Sequence, residues 1–240
     1  MKFLICSLLT IAPFLQSFSQ AQFNGWLATF NTIRLKNNFS IHSDLQLRSS
    51  DQLEHAQTFL LRAGLNYNTS KNVMLTAGYA YIDNRRTVSG QTGYISEHRI
   101  WQQLLISHKI ASFIPVSHRF RLEQRFIGKP VLQDHQVQKD GHAYANRTRY
   151  FLRGIIPFNG EKDFSKGVFG AVQNEIFLNI GNKANVNGKT FDQNRAYVAM
   201  GYRFSKKFDG EIGYMNQYIS GRNDAFTNSH ILQLAGYVRL

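Results

Sequence analysis

The chain has 240 residues, one cysteine, and 28 Lys+Arg against 15 Asp+Glu, a formal charge of +13. That length suits one all-β domain or barrel, and a single cysteine excludes a disulfide framework or a zinc-cysteine site. The basic excess points to nucleic acid, anionic lipid or acidic solutes as partners.

The first segment, residues 1–21, reads as a cleaved secretory signal peptide. It has Lys2, an apolar run from Phe3 to Leu15, then small and polar residues ending in Ser19-Gln20-Ala21. A bilayer span needs ~20 apolar residues, which this run lacks. Cleavage after Ala21, with Ser19 as the nearby alternative, removes Cys6 and Lys2. The exported part then carries 27 Lys+Arg against 15 Asp+Glu. Export sets nucleic acid aside. No later apolar run is long enough for a helical span. A barrel span stays open, because its apolar residues alternate with polar ones.

After a first strand near 23–35, Phe39, Ile41, Leu45 and Leu47 share a face opposite Ser40, His42, Asp44, Gln46 and Arg48. Such period-two alternation over about ten residues marks a long strand. Phe59, Leu61, Ala63, Leu65 and Tyr67 repeat it, then Val73, Leu75, Ala77, Tyr79 and Tyr81. Next, Ile100, Gln102, Leu104 and Ile106 oppose Glu97, Arg99, Trp101 and Gln103. Further strands fall near 117–128, 144–157, 168–180, 193–204, 209–219 and 228–240. Short connections at 36–38, 68–72 and 205–207 alternate with long ones at 83–96, 128–143 and 181–192. A bacterial membrane barrel shows this asymmetry, short turns periplasmic and long loops outside.

The alternation gives about eleven strands. Single-chain bacterial barrels usually close with an even number, so the expectation is about twelve, with ten as the fallback. The strands approach the 9–11 residues of a tilted membrane strand, against about 5–6 in a soluble sandwich. Phe39, Tyr67, Phe158 and Phe204 beside short turns, and Tyr81, Phe126, Tyr144 and Tyr218 toward the long loops, fit two interfacial girdles. The expected fold is therefore an antiparallel up-and-down transmembrane β-barrel over 22–240, following the signal peptide.

The run His118-Arg119-Phe120-Arg121-Leu122-Glu123-Gln124-Arg125-Phe126 fixes the faces. A lipid-facing Arg at the bilayer midplane costs roughly 2–4 kcal/mol, so three cost roughly 6–12, comparable with a whole domain's stability of about 5–15. Arg119, Arg121, Glu123 and Arg125 must point into the lumen, with Phe120, Leu122 and Phe126 outward. The same rule sends Glu97, Arg99, Arg147, Arg149, Arg153, Glu175, Arg195 and Arg203 inward. These twelve residues form either a self-neutralising structural network or a site for a small anionic solute held by bidentate guanidinium contacts.

Several stretches together resemble a family of exported Bacteroidota barrels known only as domain of unknown function 2490. They include Leu61-Arg62-Ala63-Gly64-Leu65-Asn66-Tyr67, Ala77-Gly78-Tyr79-Ala80-Tyr81, Glu97-His98-Arg99-Ile100-Trp101-Gln102-Gln103 and the arginine run above. Gly25-Trp26-Leu27, Arg147-Thr148-Arg149-Tyr150, Asn174-Glu175-Ile176-Phe177 and Glu211-Ile212-Gly213-Tyr214 extend the likeness over nearly the whole exported chain. The resemblance implies an outer-membrane barrel and no assigned reaction.

Catalytic and cofactor signals are absent. No His-x-Ser spacing occurs, and His42-Ser43 and Ser229-His230 are neighbours that face opposite ways on a strand. His42, His98, His118 and His230 lack paired metal-ligand spacing, so no metal is expected. His98 and His118 have outward parity. Gly64, Gly78, Gly201 and Gly213 read as residues that ease barrel curvature. Arg85, Arg86, Lys129, Lys139, Lys183, Lys189 and Arg222 in the long loops are candidates for lipopolysaccharide phosphates.

The sequence thus points to an outer-membrane, non-enzymatic barrel that serves the envelope structurally or handles a small anionic solute. A membrane-embedded enzyme acting on lipid or lipopolysaccharide, and a secreted β-sandwich binding acidic polymer, remain as alternatives. The oligomeric state is not readable.

Overall fold

Consecutive strands with one apolar and one polar face satisfy their backbone groups most completely by closing on themselves, which leaves no open edge. The computed structural model, which describes residues 22–240, is such a closed barrel. The expected signal peptide lies outside the described residues.

The strands are β1 (Gln22–Arg34), β2 (Phe39–Ser50), β3 (His55–Asn68), β4 (Val73–Val88), β5 (Gln91–Ile110) and β6 (Ile114–Gln133). They continue as β7 (Gln136–Pro157), β8 (Gly167–Ile180), β9 (Phe191–Ser205), β10 (Phe208–Ser220) and β11 (Phe226–Arg239). The count is eleven, the number that the alternation itself gives, and the even count expected from barrel parity does not hold. An odd number of up-and-down strands leaves the first and last running the same way. β1 and β11 accordingly close the barrel as a parallel pair, Trp26 opposite Gln233, while every other pair is antiparallel.

Two of the expected long loops are instead strand. Positions 83–96 and 128–143 are continuous hairpins closed by two-residue turns, Ser89-Gly90 at φ 48° and 81° and Asp134-His135 at φ 49° and 59°. Two successive positive φ values give a type I′ turn, whose twist matches that of the flanking strands. The positions of outward parity there include Asp83, Arg85, Thr87, Thr92 and Ser96, polar side chains of which Arg85 and Thr87 reach over the rim, so the apolar alternation that signals a strand stops although the strand continues.

The barrel has two unlike rims. One carries the connections 35–38, 69–72, 111–113, 158–166 and 206–207; the other carries 51–54, 89–90, 134–135, 181–190 and 221–225. We call them the turn rim and the mouth rim. At the turn rim, the 158–166 connection tucks Phe164 against Phe169 and Ala171, and Arg203 Nη1 donates to the Phe164 carbonyl at 2.9 Å.

The outer surface is a belt of exposed aliphatic side chains with at least one on each strand. Leu27, Leu45, Leu61, Leu75, Ile100, Leu122, Leu152, Val172, Val198, Ile212 and Leu234 supply it. Aromatic contacts flank the belt: Phe39 with Tyr67 and Phe204 with Phe208 toward the turn rim, Phe126 with Tyr144 and Tyr218 with Phe226 toward the mouth. His98 and His118 face outward and bond neighbouring tyrosines, His98 Nδ1 to Tyr79 at 2.5 Å and His118 Nδ1 to Tyr150 at 2.9 Å.

The strand glycines do more than ease curvature. Trp101 lies over the paired Gly64 and Gly78, Phe169 over Gly201, and Tyr197 over Gly213. Each missing side chain makes room for an inward ring. A Cβ on Gly78 would stand 2.2 Å from the Ala63 carbonyl oxygen and 2.6 Å from the Trp101 ring. Gly78→Ala should therefore destabilise the barrel by about 1–3 kcal/mol, the usual cost of overpacking. Urea midpoints read the effect, and an unchanged midpoint would show that the ring is not fitted to the glycine.

Candidate functional site

The interior half of each strand brings its polar residues to the barrel axis. Glu123 on β6 sits opposite Arg147 on β7 and beside Trp101 on β5, and is 1% exposed. Its Oε2 lies 2.7 Å from Arg147, its Oε1 lies 2.6 Å from Arg149, and Arg99 stands 3.8 Å away. Glu175 on β8 accepts from Arg119 at 2.6 Å and from Arg149 at 2.8 Å. Glu97 on β5 holds Arg99 and Arg125, both at 2.6 Å. Arg99 and Arg149 are shared, so these three carboxylates and five arginines form one connected mid-barrel network.

The remaining arginines singled out in the sequence are held apart from that network. Arg153 pairs with Glu211, which also accepts from Tyr197 at 2.8 Å. Arg203 pairs with Asp209 at 2.8 Å near the turn rim. Arg121 is 2% exposed and gives two bonds to Gln103 Oε1, at 3.0 and 2.6 Å, with its guanidinium over the Trp101 ring. Its Nη1 has no hydrogen-bond partner among the described residues.

Packing completes the middle of the barrel. Trp101, Phe177, Tyr197, Met215 and Ile231 are all inward and at most 2% exposed. On the other wall Asp44 bonds Arg62 at 2.8 Å and His42 at 3.2 Å. Ser40, His42 and Asp44 share this inward face at alternate positions of β2. Ser40 accepts from Asn66 at 3.0 Å, and both Ser40 and Asp44 are buried, which makes them part of the packed interior.

Above this layer the lumen opens into a funnel of about 600 Å³ toward the mouth rim. Nine arginines line it against three carboxylates, Asp51, Glu97 and Asp192. Six of the nine have a carboxylate: Arg62 has Asp44, Arg85 has Asp51, Arg99 and Arg125 have Glu97, Arg147 has Glu123 and Asp192, and Arg149 has Glu123. Arg86 is exposed at the rim and has no carboxylate partner among the described residues, and Arg48 and Arg195 are unpaired deeper in the funnel. Neither of these two has a carboxylate within ion-pair distance among the described residues. Arg48 donates to Gln46 Oε1 at 2.6 Å, and Arg195 Nη2 donates to the amide oxygen of Gln193 at 2.7 Å or of Gln217 at 3.2 Å when one of those amides turns to present it. Both guanidiniums stack on Trp26, at 4.0 and 4.9 Å from its ring, and Arg195 also lies over Phe177. Stacking holds the charges in place without neutralising them.

Arg48, Arg62 and Asp44 escaped the sequence list, although their inward parity was readable from the alternation of β2 and β3. Trp26 had no such signal, because the rule that sends apolar residues outward misplaces it. Of the cations expected in long loops, Lys183, Lys189 and Arg222 lie in the mouth-rim connections and bond Thr190, the Asn223 carbonyl and the Ala184 carbonyl, while Arg85 and Arg86 lie in β4, Lys129 in β6 and Lys139 in β7, where it bonds Ser96.

A family described as proteins of unknown function, DUF2490, has a sequence profile that matches residues 23–228. The chain is a DUF2490 protein. An uncharacterised protein of Methylorubrum extorquens is 27% identical over 200 residues, covering 82% of this chain and 79% of its own length. No solved structure matches the chain. The fold of this DUF2490 protein is thus described through its own eleven strands, and neither match assigns a reaction.

Proposed function

We propose that this protein is an outer-membrane barrel, sealed at mid-height, whose funnel binds a small anionic solute. The belt supports the membrane placement. Water-soluble monomers rarely expose contiguous apolar surface beyond a few hundred Å², and here the belt circles all eleven strands between two aromatic levels. The mouth rim carries the extended hairpins 83–96 and 128–143 and the 181–190 connection, the larger projections that a bacterial barrel holds outside, so the funnel faces the cell exterior. The mid-barrel ion pairs and buried rings close the path, so the protein acts as a receptor-like or structural barrel rather than an open pore. The mouth-rim cations lie where lipopolysaccharide phosphates would meet them.

The observation that carries the anion reading is the pair Arg48 and Arg195, charged, fixed on Trp26 and without a carboxylate partner. Guanidiniums arranged in this way form strong bidentate bonds to carboxylate or phosphate. Calorimetric titration of the detergent-folded protein with pyrophosphate tests it. The wild type should bind, and Arg48→Gln with Arg195→Gln should weaken binding at least about tenfold, which corresponds to ~1.4 kcal/mol. Absence of binding, or binding indifferent to both substitutions, would remove the reading.

A further inference from the structure

The two walls of the funnel differ in chemistry. On the β4–β7 side, Glu97 and Glu123 hold the inward Arg99, Arg125, Arg147 and Arg149, and the β4 arginines lie at the rim, Arg85 3.8 Å from Asp51 and Arg86 exposed. On the side made by β9, β10, β11, β1 and β2, the unneutralised Arg48 and Arg195 stand among Asn24, Gln193, Gln217 and Ser229, all lining the cavity. These strands are contiguous across the parallel seam: Arg195 pairs with Gln217, Gln217 with Ser229, and Ser229 with Gln22, two residues before Asn24.

Asn24 supplies the second observation. It is 7% exposed, and its Oδ1 has no hydrogen-bond donor among the described residues. The guanidiniums lack an anionic partner, and the Asn24 amide oxygen lacks a donor. A simple polyanion at neutral pH offers mainly acceptors. A ligand that carries hydroxyl groups as well as an acid supplies both, with a rotation of the Asn24 amide bringing its oxygen to a hydroxyl. The cavity, about 600 Å³, also exceeds what a single phosphate occupies and lies within the range of ordinary small-molecule sites.

We propose that the funnel takes an acidic saccharide, a sugar bearing a carboxylate or phosphate, with the acid between Arg48 and Arg195 and the hydroxyls on the Asn24, Gln217 and Ser229 wall. This inference rests on the anion-binding reading above. A uronate and a sugar phosphate present the same chemistry, and separate probes distinguish them.

The test is calorimetric titration of the folded protein with four probes: a glucuronate-containing disaccharide, glucose 6-phosphate, inorganic phosphate and maltose. One or both acidic sugars should bind at least tenfold more tightly than inorganic phosphate and than maltose, and the tighter one names the acid. Asn24→Leu should weaken the acidic sugar several-fold and leave inorganic phosphate unchanged. Heat-modifiable gel mobility shows that each variant is folded, and Asn24→Ser, which restores an acceptor, serves as the rescue. Equal affinity for acidic sugar and inorganic phosphate, with Asn24→Leu silent, would overturn the saccharide proposal and leave the anion reading standing. If no anionic probe binds, both fall.

Discussion

Glu123→Gln should cost the folded barrel about 3–5 kcal/mol, the range for removing one member of a buried ion pair. The substitution keeps the shape of the side chain and removes its charge. Arg147 and Arg149, bonded at 2.7 and 2.6 Å, and Arg99 at 3.8 Å then share the field of the remaining carboxylates. Glu123 is 1% exposed, so solvent cannot make up the loss. An internal control lies at the turn rim, where Asp163 is 96% exposed and 3.9 Å from Lys109. Asp163→Asn should change stability by no more than about 0.5 kcal/mol, as exposed pairs do. Urea unfolding of the two variants side by side reads the difference. A Glu123→Gln loss below about 1 kcal/mol would mean that the network does not hold the barrel closed.

Ile212→Arg carries the second large effect. Ile212 is 51% exposed, pairs with Met200 and Leu234 on its neighbours, and lies between Phe208 and Tyr218 along β10. In a bilayer that position is near the midplane, where an outward Arg costs roughly 2–4 kcal/mol. On a water-exposed surface the same change stays within about 0.5 kcal/mol. Folding equilibria in phospholipid vesicles separate the two cases. The large value supports the membrane placement, and the small one returns the chain to the secreted-sheet alternative.

The alternation made most of the fold legible. Phe59 to Tyr67 and Phe120 to Phe126 carry their outward faces in plain sight, and the cost of lipid-facing arginine points the run Arg119 to Arg125 inward. The strand number was obscured by an added parity rule, since an odd barrel needs only one parallel pair. The hairpins at 83–96 and 128–143 were hidden because strand continues there after the apolar pattern has ended. At the candidate site, inward parity is readable for each of these arginines, but pairing is not. Which carboxylate meets which guanidinium depends on stagger between strands, and Glu175 reaches Arg119 two strands away. Trp26, which organises Arg48 and Arg195, is an inward apolar residue that period two alone places on the wrong side.

The central claim is a membrane barrel sealed at mid-height beneath an anion-binding funnel. Conductance recording in planar bilayers, with protein shown to be folded by its gel mobility, tests it most directly. The wild type should insert without conductance steps, while truncating Trp101 and Arg121 to Ala, the largest fully buried side chains of the seal, should open steps that favour anions. Regular conductance steps from the wild-type protein would contradict it.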